Sequence, residues 1–89
     1  MTIGIRQLKQ EMKALALEMG VNAKETHVRK MKRKWASCSS KGRLTFSTDL
    51  LSQPEDFRRK VMVHELLHMR YPNHGKMFNL LLTSYSEKK

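Results

Sequence analysis

The sequence predicts a single α+β domain spanning residues 1–89, built from an N-terminal helix, a small antiparallel β-hairpin and two further helices. Three observations predict it. Apolar residues recur at helical spacing near both ends, strand-forming residues flank a Gly-containing turn in the middle, and a central stretch from Ser52 to Pro72 carries helix start and stop signals.

The first helix is expected over Ile3 to Met19. Ile5, Leu8, Met12, Leu15, Ala16 and Met19 form one apolar stripe, with Arg6, Lys9, Lys13 and Glu18 largely off it. Gly20 supplies the C-terminal stop. Residues 25–48 read as a β-hairpin, because Thr26, Val28, Trp35, Leu44, Thr45 and Phe46 suit strands. Between them Ser39-Ser40-Lys41-Gly42 makes a turn in which Gly42 takes a positive φ. Trp35 is expected in the core, since large aromatics dominate small cores. Cys38 is expected as a small buried hydrophobe, and His27 as a partly exposed strand residue.

The second helix is expected from an N-cap at Ser52, with Glu55 three positions on completing a capping box, to about Arg70. Pro72 cannot continue it. A third helix fits Gly75 to Ser86, with Met77, Phe78, Leu81, Leu82 and Tyr85 as its apolar stripe.

A chain of 89 residues lies near the lower size at which a core alone stabilises a fold. One cysteine excludes an internal disulfide, which leaves a bound metal as the remaining cross-link. The lone cysteine, the lack of a secretory signal and the lack of a spanning apolar run together point to the cytoplasm and away from a membrane. Eighteen Lys and Arg against eight acids give a net charge of +10, a balance that attracts polyanions such as nucleic acid.

The chemistry lies on the second helix, in His64-Glu65-Leu66-Leu67-His68. At about 100° per residue the two histidines sit about 40° apart, so both imidazoles can reach one ion. Phe57 and Val61 continue that stripe, while Met62, Val63, Leu66, Leu67 and Met69 cover the other sides, as in a central, covered helix. Glu65 falls beside the histidine face, which suits a carboxylate that takes a proton from water activated by the metal. Packing does not explain it, because a carboxylate on a buried helix is costly unless paired. His74, past the break at Tyr71-Pro72-Asn73, is the candidate third ligand; three histidines leave one open position on a tetrahedral ion. The spacing matches H-E-x-x-H-x-x-G-x-x-H, yet Tyr71 occupies the glycine position, so metzincin membership is rejected.

Two blocks then resemble the YgjP-like metallopeptidases. One is Met31-Lys32-Arg33-Lys34-Trp35-Ala36-Ser37-Cys38-Ser39 followed by Gly42-Arg43; the other is Val61-Met62-Val63-His64-Glu65-Leu66-Leu67-His68 followed by Asn73-His74 and Phe78. Ala36 stands where that family commonly has glycine. The resemblance implies a minimal zincin-like fold, one Zn2+ per chain at His64, His68 and His74, a catalytic Glu65, and kinship with SprT-like and minimal gluzincin-type proteases.

The expected activity is endopeptidase cleavage of a protein or peptide in extended conformation, added to a sheet edge at the Arg43–Ser47 strand. Arg43, Tyr71 and Tyr85 are candidates to steady a developing oxyanion or contact substrate. The competing expectation is a nucleic-acid-binding module with a structural zinc, gripping phosphates through Lys30, Lys32, Arg33, Lys34, Lys41 and Arg43 around Trp35. The two combine in a protease acting on nucleic-acid-bound proteins.

Overall fold

The computed structural model describes residues 2–39, 41–71 and 75–86, without the side chain of Ser86. Its elements run α1 (Ile5–Met19), β1 (Glu25–Arg29), β2 (Ala36–Cys38), β3 (Arg43–Ser47), a short 3₁₀ helix (Thr48–Ser52), α2 (Glu55–Arg70) and α3 (Lys76–Ser86). The α+β class and the order of helix, sheet, helix and helix are those the sequence predicts; the third strand and the 3₁₀ helix are not. Ser40, Pro72, Asn73 and the predicted third ligand His74 lie outside the described residues.

Helix α1 buries Leu8, Met12, Leu15, Ala16 and Met19, the predicted stripe less its first member. Ile5 is exposed; the chain enters instead through Ile3, whose N–H donates to the Leu51 carbonyl at 2.9 Å and whose side chain packs on the core. Gly20 ends the helix at φ 68°, in the left-handed region. Its N–H and that of Val21 donate to the Leu17 and Ala16 carbonyls, closing a Schellman motif.

The sheet departs from the prediction in its pairing. β2 and β3 form the antiparallel hairpin, with Ser37 opposite Thr45, but β1 lies on the far side of β3 and runs parallel to it. The strand order is therefore β1-β3-β2. The cause is the intervening segment: Lys30, Lys32, Arg33 and Lys34 carry charges that a strand facing the core would have to desolvate. The chain leaves the sheet there and re-enters it as the short β2. At the hairpin turn Gly42 takes φ 89°, and Ser39 Oγ accepts from the Lys41 and Arg43 amides.

This order makes β3 the central strand, hydrogen-bonded on both sides, so it cannot accept an added substrate strand as expected. The open edge nearest α2 belongs to β2. The Ser47 amide donates to the Trp35 carbonyl and the Ser39 amide to the Arg43 carbonyl. Odd-numbered residues of this strand therefore face β3. By alternation the amides and carbonyls of Ala36 and Cys38 face outward, at the free edge.

Ser52 does not cap α2. It closes the 3₁₀ helix, with its hydroxyl donating to the Asp49 carbonyl at 3.0 Å. Gln53 is held extended before proline, as sterics require, and Pro54 is the N-cap. Glu55 and Asp56 then place negative charge in the first turn, where the helix dipole favours it. Met62, Val63, Leu66 and Leu67 of α2 join Leu44, Phe46, Leu50 and Phe78 in one core with the α1 stripe. Met77, predicted on the α3 stripe, is exposed; Phe78, Leu81, Leu82 and Tyr85 pack inward.

Candidate active site

Helix α2 packs against β2 and carries His64, Glu65 and His68 alongside it. The two imidazoles stand 4.6 Å apart, centroid to centroid, nearly perpendicular. Phe78 of α3 lies edge-on to His64 at 5.5 Å and tilted against His68 at 5.1 Å. That buried ring limits the rotamers of both histidines, the support a binding site needs from its surroundings. Two imidazoles one helical turn apart are the nitrogen donors that zinc takes.

Glu65 is the more buried of the neighbouring pair: its side chain is 12% exposed against 36% for His64. Glu65 Oε2 lies 3.1 Å from His64 Nδ1. When Nδ1–H donates to this carboxylate, Nε2 carries the lone pair, which is the tautomer that ligates a metal. Among the described residues no group of three or more His, Cys, Asp or Glu is placed to hold an ion.

Two open clefts flank Glu65. One, of about 470 Å³, is bordered by Trp35, Phe57, Val61 and His64 with Lys34 and Lys60 at its rim. The other, of about 440 Å³, is bordered by Ser37, Cys38, Ser39 and His68. Lys34, Ala36 and Glu65 belong to both, so the clefts form one groove along the free edge of β2. Ala36 in place of glycine costs nothing there, since the strand is extended and no residue other than glycine has positive φ among the described residues.

Trp35 is not in the core as expected. It is 40% exposed and packs edge-on against Phe57 with centroids 5.1 Å apart. The signal in the sequence was its place at the end of a basic run, with no apolar alternation before it. Phe57 and Lys60 were legible as helix residues but not as cleft residues, because only the fold brings them beside Trp35. Cys38 is half-buried on β2. Burial pushes its thiol pKa up, and the nearby Glu65 carboxylate adds to the rise. A nucleophilic cysteine needs the opposite shift, so this groove is not built for thiol catalysis.

The remaining candidates lie elsewhere. Arg43 is exposed and its Nε donates to Glu25 Oε2 at 2.9 Å, a pairing that lowers the Glu25 pKa. Tyr71 ends α2, and Tyr85 packs on the core while its carbonyl accepts from Arg59 Nε at 2.7 Å. None of the three borders the two clefts. Lys30, Lys32, Arg33, Lys34 and Lys41 are exposed, and His27 is half-exposed on β1, as expected. No helix among the described residues is long and apolar enough to cross a membrane.

The fold is that of known metallopeptidase zymogens. Jannalysin from Methanocaldococcus jannaschii superposes with a TM-score of 0.80 over 88% of this chain and 80% of its own, at 25% identity. Abylysin from Pyrococcus abyssi gives a TM-score of 0.74 over 84% of this chain and 75% of its own, at 20% identity, a likeness of fold alone. No curated protein matches the sequence. The family model of the YgjP-like metallopeptidase domain matches residues 4–88. With nearly the whole chain inside that match, the protein belongs to the YgjP-like metallopeptidase family.

Proposed function

We propose that the protein is a zinc endopeptidase of the HExxH type, with His64, His68 and His74 holding one metal ion and Glu65 as general base. The observation that carries this reading is the position of Glu65: a nearly buried carboxylate, against His64, at the junction of two clefts. A structural metal site has no use for such a group. A bound zinc supplies Lewis-acid chemistry, polarising the scissile carbonyl and making water more acidic.

The chain's own residues do the rest. An extended substrate adds to β2, its backbone pairing with the outward amides and carbonyls of Ala36 and Cys38. That seats a peptide bond over the histidine pair, between the two clefts. Glu65 takes a proton from the attacking water as the C–O bond forms, then passes it to the amine as the C–N bond breaks. Both proton transfers need Glu65 ionised at the start of the cycle.

The exposed basic run from Lys30 to Lys34 supports one variant of this reading, a peptidase that works on proteins bound to nucleic acid. One assay tests both. Purified protein is expected to cleave an unfolded protein, to stop when a chelator removes the metal, and to recover on zinc addition. Cleavage that ignores the chelator would sink the metal mechanism, and cleavage unaltered by added DNA would remove the nucleic-acid variant.

A further inference from the structure

The larger cleft is built in a way that the hydrolysis of a peptide bond does not require. Its walls are aromatic and aliphatic: Trp35 on the β2 side, Phe57 and Val61 from α2, and Leu82 from α3. An aromatic as exposed as Trp35 is usually mobile, but this one is fixed at both ends. Its backbone carbonyl accepts from the Ser47 amide at 2.8 Å, and its ring meets Phe57 edge-on. A rigid aromatic wall offers stacking area to a ligand at little entropic cost. The rim carries charge of one sign: Lys34 and Lys60 border the cleft on the strand and helix sides, and both are exposed. Among the described residues that border it, Glu65 alone is acidic.

From this juxtaposition, and resting on the peptidase reading, we propose that the Trp35–Phe57 cleft is a specificity subsite that selects a large apolar or aromatic substrate side chain with acidic residues two positions to either side, on the same face of the extended substrate. The side chain enters between the Trp35 ring and Val61 and stacks on the aromatic wall. Its acidic neighbours, carried along the edge of β2, meet Lys34 and Lys60. The volume of about 470 Å³ is ample for an aromatic ring and leaves an alanine methyl with no contact on most sides. The rim charges add a salt-dependent attraction and discriminate against basic sequences.

Trp35 is the sole tryptophan, so its fluorescence reports occupancy of this cleft without any turnover. The test uses the full chain carrying Glu65→Gln, titrated with capped pentapeptides acetyl-Asp-Gly-X-Gly-Asp-amide, X being Phe, Leu or Ala, and with acetyl-Lys-Gly-Phe-Gly-Lys-amide. The Phe peptide is expected to change the emission saturably and to bind at least about tenfold tighter than the Ala peptide, the scale of burying one large side chain. The Lys-flanked peptide is expected to bind more weakly, and Lys60→Glu, a surface change, to narrow or invert that difference. Equal affinity for the Phe and Ala peptides would overturn the proposal. So would silence towards every peptide with a response to single-stranded DNA, which would assign the surface to nucleic acid. Binding as expected in a chain whose native form cleaves nothing would sink the catalytic reading and leave the subsite standing. Cleavage by the native chain without preference for large apolar residues would do the reverse.

Discussion

Glu65→Gln is expected to lower the rate of peptide cleavage by about 10²- to 10⁴-fold, the range over which a positioned acid–base group acts. The substitution keeps the size and one acceptor oxygen of the side chain but removes its capacity to hold a proton. The contact with His64, 3.1 Å in the native chain, can be kept by the amide oxygen, so metal content and fold should not change. The loss should therefore fall on kcat with KM little altered, because the carboxylate acts on the reacting atoms and not on the substrate flanks. Cleavage kinetics beside metal analysis check this. A variant that cleaves as fast as the native chain would remove Glu65 from the mechanism.

Glu11→Ala is expected to destabilise the protein by about 3–5 kcal/mol, a large part of the stability of any small domain. Arg58 is buried near the start of α2, where its Nε and Nη2 donate to the two Glu11 oxygens at 3.1 and 2.8 Å. Its Nη1 donates to the Gln53 carbonyl at 2.8 Å. The two-pronged bond to Glu11 raises the Arg58 pKa further, so the guanidinium stays charged under all ordinary conditions. Removing the carboxylate leaves that buried charge with the Gln53 carbonyl and the weaker influence of the Glu55 carboxylate. Thermal unfolding measures the loss. The double variant Glu11→Leu with Arg58→Met is expected to recover most of it, since an apolar pair of similar volume carries no desolvation cost. If Glu11→Ala alone costs less than about 1 kcal/mol, the pair behaves as a solvated surface bridge. The pair also ties α1 to the start of α2, the helix that carries the histidines.

What could be read from the sequence was what local physics decides. The α1 stripe, the left-handed Gly20, the positive φ of Gly42 and the end of α2 before Pro72 each depend on residues within a few positions of one another. The pairing of His64 with His68 is of the same kind, fixed by the pitch of one helix. The rest depended on competition between distant partners. The partner of β1 was set by a charged segment that would not enter the sheet, so an expected hairpin became a parallel neighbour of β3. Ser52 was expected to cap α2, but the 3₁₀ helix, not foreseen, claimed it. The fate of Trp35 turned on Phe57, 22 positions away in the chain, and with it the existence of the cleft. Moving the free edge from β3 to β2 follows from the strand order alone. It brings the edge beside Glu65, which shares both cleft linings with Ala36 of β2.

Metal analysis of the purified protein tests the central claim most directly. The native chain is expected to carry about one zinc per molecule, as a single tetrahedral site requires. His68→Ala, checked for retained helix content by circular dichroism, is expected to lose it. A native chain free of zinc, or a His68→Ala variant that binds it undiminished, would contradict the assignment of the metal to this helix.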